Sequence, residues 1–167
     1  ERRLERDLSR AQDIELRFRL AEIQRVELAN RERAIEYMGQ VLEREPDHAP
    51  SIQILQDLLE DPQARMTAAT LLEPVYIRRS AWKELVAIDS LRLQYSEDPE
   101  QRLTWTQRIA QVYEEQIEDL DEAFNWYGRV FQEKATDRAA LEQLLRLAPK
   151  LGRWRDVGKL LDEFLDN

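Results

Sequence analysis

Apolar residues recur at spacings of three and four along nearly the whole chain, with polar residues between them. That period places one apolar stripe along each of a series of α-helices. In the last segment Val157, Leu160, Leu161, Phe164 and Leu165 form one such stripe. No stretch alternates apolar and polar residues long enough to read as a strand. Punctuation residues divide the pattern into about nine helices: 3–29 (with a break near 8–12), 31–45, 50–60, 62–79, 81–95, 99–117, 120–134, 137–148 and 153–165. Asn30, Ser80, Asp98, Asp119 and Thr136 stand where helix N-caps belong, and Gly152 where a helix ends. Pro74 is expected to kink its helix, and Pro149 to end the helix before it. Trp82 and Trp154 each open a helix and are expected in the core. Connections of two to four residues force neighbouring helices to run antiparallel.

The pattern repeats. Shifted by 89 residues, "RLAEIQRVELANRERAIEYMGQVL" from Arg19 falls on "RIAQVYEEQIEDLDEAFNWYGRVF" from Arg108 without a gap. Ala21, Ala34, Gly39 and Val41 meet Ala110, Ala123, Gly128 and Val130. The cap Asn30 meets the cap Asp119, and Leu55 and Leu58 meet Leu144 and Leu147. Identity concentrates at small and apolar positions, where close packing selects it. The recurrence of Gly39 and Gly128 predicts the same close helix contact twice, since glycine inside a helix costs about 1 kcal/mol.

A shorter unit lies inside the longer one. Small or apolar residues open the second helix of each pair at Ala34, Leu85, Ala123 and Val157, the last two 34 residues apart. Ile109-Ala110-x-x-Tyr113 and Ala123-x3-Tyr127 carry the L-G-x2-Y and A-x3-F elements of a helical hairpin, and Leu144, Ala148, Gly152, Trp154 and Val157 continue its spacing. In these residues the chain resembles the tetratricopeptide repeat family. The resemblance implies an all-α fold, a right-handed α-solenoid of antiparallel helical hairpins, with units at roughly 15–49, 65–98, 103–136 and 137–167. Ala34 and Leu85 are 51 residues apart, which places an extra helix near 50–60. The turn between Tyr113 and Ala123 is one residue longer than the family's. The whole of 1–167 reads as one solenoid segment, and its opening at Glu1 inside an amphipathic pattern reads as a segment of a longer repeat protein.

Composition narrows the chemistry. Net charge is −9 and 35% of residues are charged. An acidic chain is a poor match for a phosphate backbone, so nucleic acid is not an expected partner. There is no cysteine, hence no thiolate nucleophile or thiolate metal site. No run is long and apolar enough for a membrane helix, and the expected compartment is the cytoplasm. Glu114, Glu115, Glu118 and Asp119 crowd one stretch, but a carboxylate metal site in a helical bundle also needs Glu-x-x-His on facing helices. The single His48 lies in a loop beside helix-breaking Pro46 and reads as an exposed loop residue. Phosphate-binding and nucleophile-elbow motifs are absent. No catalysis, cofactor or metal is expected.

The resemblance also implies where a partner would lie. Carried over residue by residue, the family's concave face falls on Glu15, Phe18 and Glu22, on Thr104, Gln107 and Gln111, and on Glu142 and Arg146. The expectation is therefore a non-catalytic scaffold that binds a protein, as peptide or helix, in a concave groove. The alternative is a structural spacer that packs on flanking repeats or on a second copy through apolar ends such as Leu160, Leu161, Phe164 and Leu165. Single-stranded RNA binding is a third class, opposed by the net acidity.

Overall fold

The computed structural model describes residues 9–134 and 138–165. Thr136 and the apolar positions Leu4 and Leu8 lie outside the described residues. Among those described the chain is helical, with no strand. Nine α-helices follow one another: α1 (Arg10–Val26), α2 (Arg31–Arg44), α3 (Ala49–Asp57), α4 (Arg65–Arg78), α5 (Trp82–Tyr95), α6 (Pro99–Val112), α7 (Leu120–Glu133), α8 (Arg138–Leu151) and α9 (Trp154–Leu165). Their contacts divide them into two compact units, Glu1–Arg79 and Ser80–Asn167.

Capping explains most boundaries. Side-chain oxygens of Asn30, Asp98 and Asp119 accept from the backbone N–H groups of Arg33, Glu100 and Glu122, which opens α2, α6 and α7. Gly152 takes a positive φ of 69° after α8. Ser9 and Gln12 form a capping box that starts α1, so the expected 3–29 helix has a firm boundary at Arg10 within the described residues.

Four expectations are corrected. Ser80 does not cap α5: its φ of 53° is left-handed, and Ala81 takes the cap position without a side-chain bond. Pro149 does not end its helix, because α8 runs on to Leu151; Pro74 stands inside α4. Both prolines are exposed, so the carbonyl each leaves without an amide partner can turn to water. The 50–60 and 99–117 helices each change pitch, to a 3-10 turn at Leu58–Glu60 and a wide π-type turn at Tyr113–Ile117. Trp154 is 53% exposed, not buried, although it lies on the same side as Val157, because it is the first residue of α9 and stands at the helix end.

In the first unit α1 and α2 run antiparallel. Arg10 near the start of α1 donates to the carbonyl of Arg44 at the end of α2, and Asp13 pairs with Arg44 at 2.6 Å. Ala21, Ala34 and Met38 have no exposed surface, so the two helices meet through small residues and one flexible filler. In the second unit α6 and α7 repeat this arrangement. Their core joins Ala110 and Ala123 to Phe124, Tyr127 and Phe131 and extends to Leu144 and Leu147 of α8 and Val157 of α9.

The 89-residue recurrence reaches further than the sequence match. The starts of α1, α2 and α4 recur 89 residues later as those of α6, α7 and α9, and α8 is described from the residue matching the start of α3. Left-handed Ala29 matches left-handed Glu118. The amide of Asn30 reaches back to the carbonyl of Gln24 at 2.7 Å, as Asp119 does to Tyr113 at 2.9 Å. The lengthened turn is thus built the same way in both units. A Cβ on Gly39 would stand 3.2 Å from Leu71, and one on Gly128 3.6 Å from Leu160, again 89 residues apart. Both glycines therefore face a leucine of the second helix beyond their own, tightly in the first unit and at ordinary contact distance in the second. In this register α5 has no counterpart among the described residues, because the positions that would match it fall outside them.

Candidate functional site

The residues expected on a concave face fall on three helices. Glu15, Phe18 and Glu22 share one side of α1, where Glu15 and Glu22 are exposed and Phe18 is half-buried. Phe18 packs edge-on against His48, ring centroids 4.9 Å apart. His48 is not a loose loop residue. Its Nδ1 accepts from the backbone N–H of Ser51 and caps α3, so its lone pair is engaged in holding a helix end. Thr104 and Gln111 are exposed on α6, with half-buried Gln107 between them. The Thr104 hydroxyl turns back to the carbonyl of Glu100 at 2.8 Å. Glu142 and Arg146 are exposed on α8. Arg146 is tied to Glu114 of the wide turn, and Glu114 also accepts from the Tyr127 hydroxyl at 2.9 Å. Burial, with the Glu114 bond added, pushes that hydroxyl well above the ordinary tyrosine range, so it stays a protonated donor. Glu114 is thereby committed to two donors, and Asp119 to its cap. The acid-rich stretch is structural at these positions.

The chain-end residues divide. Leu160 and Leu161 pack on the second unit's core. Phe164 lies edge-on to Phe131 at 5.9 Å yet keeps 45% of its surface exposed, and Leu165 keeps 78%.

Sequence reasoning missed two features. The first is a buried charge cluster where α5 meets α6. Asp89 is fully buried and Arg92 is 5% exposed. Arg92 reaches one carboxylate oxygen of Asp89 at 3.2 Å, and Arg108 of α6 reaches the other at 3.1 Å. Both guanidinium groups lie over the half-buried ring of Trp105, at 4.8 and 5.8 Å. The cluster fastens α5 to α6. An acid and an arginine three residues apart on an otherwise apolar stripe were its signal.

The second is an apolar stripe on α1, formed by Leu16, Leu20 and Ile23 at 47, 41 and 46% exposure. It lies on a different side of the helix from buried Ile14 and Ala21. Its counterparts 89 residues on are Trp105, Ile109 and Val112 of α6; Trp105 is half-buried, and Ile109 and Val112 are buried. There α5 covers them. One pattern is therefore clothed by a helix in the second unit and bare among the described residues of the first. Its signal was a second set of leucines at helical spacing on a helix that already had one core stripe.

No group of three or more His, Asp and Glu among the described residues is placed to hold a metal ion. No helix among them is long and apolar enough to cross a membrane. No protein-family model matches the chain, and no curated protein matches it.

Proposed function

We propose that this chain is a non-catalytic helical-repeat scaffold, a tetratricopeptide-like solenoid segment, that works by binding the helix or peptide of a protein partner. The observation that supports this reading best is the Leu16–Leu20–Ile23 stripe. Exposed apolar stripes of this kind mark association surfaces, and α5 on α6 supplies an example of the ligand such a stripe takes. Glu15, Phe18 and Glu22 on the adjoining side of α1 are the proposed rim in the first unit, polar except at Phe18. Thr104, Gln107, Gln111, Glu142 and Arg146 are the proposed groove lining in the second.

The test uses a labelled peptide with the sequence of α5, 82–95, titrated into the whole protein and followed by fluorescence anisotropy. Saturable binding is expected, weakened at least tenfold by Leu20→Glu, since a carboxylate cannot be buried in that stripe without a partner. Absence of binding, or binding indifferent to Leu20→Glu, would count against the reading.

A second reading, self-association or packing on flanking repeats, is favoured by Phe164 and Leu165. It predicts a mass in light scattering that rises with concentration and returns to that of a monomer in the Phe164→Glu, Leu165→Glu variant. A monomer at every concentration would remove the self-associating version.

A further inference from the structure

A groove in the first unit runs between α2 and the start of α4, with a volume of about 690 Å³. Its apolar floor is Ile35, Gly39, Ala64 and Leu71, and Glu32 and Glu36 stand on its α2 side. The absence of a side chain at Gly39 keeps the floor open beside Leu71. Arg31, which also lines the groove, is paired with Asp61 at 3.0 Å. Arg65 is likewise turned to the carbonyls of Glu60 and Asp61.

The same place in the second unit, between α7 and α9, is a smaller cavity of about 320 Å³. It is occupied by the chain's own Arg153. That guanidinium lies 4.2 Å over the ring of Phe124. It donates to Asn125 Oδ1 at 2.8 Å and to Asp156 Oδ2 at 2.7 Å, and stands 3.7 Å from Asp121. The positions 89 residues earlier are Ala64 for Arg153, Ile35 for Phe124, Glu36 for Asn125, Thr67 for Asp156 and Glu32 for Asp121. The first unit thus keeps an apolar platform, a hydroxyl and two carboxylates around the same spot. It lacks the arginine, which alanine replaces, and the aromatic ring, which isoleucine replaces.

We infer that the groove between α2 and α4 binds an arginine side chain of a partner peptide, seated over Ile35 between Glu32 and Glu36 as Arg153 is seated over Phe124. The groove rests on its own geometry, not on the α1 stripe. Exposed Glu32 and Glu36 supply the charge complementarity, and the weakly hydrated guanidinium can lie on an apolar floor with acceptors at its edge. Lysine would satisfy the charge but not the flat contact or the forked hydrogen bonding.

The test uses a labelled Leu-Ala-Arg-Ala-Leu peptide, blocked at both ends, and its citrulline counterpart, which keeps the shape and removes the charge. Anisotropy gives affinity and amide shifts in NMR spectra give location. The arginine peptide is expected to bind with shifts confined to the 32–39 and 64–71 segments. The citrulline peptide is expected to bind about tenfold more weakly, as loss of a charge-assisted pair implies. Glu32→Gln with Glu36→Gln, both exposed and free to fold, should lower affinity for the arginine peptide alone. Ala64→Arg should abolish binding by filling the groove from within. Equal affinity for the two peptides, shifts elsewhere, indifference to the double glutamine variant, or no binding at about 1 mM peptide would overturn the inference. Leu20→Glu should leave this binding unchanged, so its outcome is separate from that of the α1 surface.

Discussion

Asp89 has no exposed surface, yet both its oxygens face guanidinium groups. Burying an ion pair is seldom a net gain, but removing one member leaves a charge in a low-dielectric site. Asp89→Ala is therefore expected to cost about 3–5 kcal/mol in urea unfolding, while Asp89→Leu with Arg92→Met recovers most of that loss. A cost below about 1 kcal/mol, the range of an exposed pair, would mean the cluster is solvated. Backbone strain at Ala29 and Glu118 has the opposite sign. Each holds a positive φ, 49° and 61°, where a side chain is disfavoured by about 1–2 kcal/mol. Replacing either by glycine relieves that strain and gives back some unfolded-chain entropy. A net gain of about 0.5–1 kcal/mol is expected for each, read as a rise in melting temperature. Destabilisation by both substitutions would show that the left-handed turn is not strained. Asp89 and Arg92 left only a faint signal in the sequence, and Ala29 and Glu118 none, because burial and φ depend on what the chain packs against.

Between α1 and α2 the link is Asp13 to Arg44; between α6 and α7 it is Arg102 to Glu133, at 3.7 Å. These positions match at the 89-residue shift, with the charges exchanged. What the helix pair needs there is opposite charge at the far end of the hairpin, not a particular acid or base on either side. Asp13→Arg combined with Arg44→Glu should therefore melt above either single variant. A double variant that melts below both would sink this account. The hydrogen bond from Arg17, with Arg44 beside it, holds the Asp13 carboxyl below its ordinary 3.8. A lowered folded value means this contribution is complete above the unfolded pKa and is lost as pH falls through the folded one. Asp13→Asn should flatten the acid limb of the stability profile in that window, below about pH 4, and leave neutral pH dependence unchanged. At this scale the sequence was a good guide. Helix existence, order and most caps follow from apolar period and cap chemistry, which are local. Pro149 was misjudged because the cost of a proline depends on whether water can reach the abandoned carbonyl.

Across the molecule, two units built on one pattern have filled their cores differently. Ile35, Met38 and Leu42 of the first unit stand at the positions of Phe124, Tyr127 and Phe131 in the second, all buried. Aromatic rings bury more area, and the second unit also has α5 packed on α6, whereas α1's stripe is bare among the described residues of the first. Hydrogen exchange is expected to be slowest in α7 and faster in α2, with α1 faster still. A reversed order, α2 outlasting α7, would contradict the argument from burial.

The amino-acid sequence alone determined that the chain is helical, roughly where each helix begins and ends, and that one pattern is used twice. Those properties rest on residues close together in the chain, or on a period that survives any packing. Tertiary structure alone decided which apolar stripes are covered and which stay open. It also placed Asp89 between two arginines, and showed that the pocket filled by Arg153 has an empty twin at Ala64. Each of these is a contact between distant residues, and its energy comes from water excluded or a charge met, which no local spacing records.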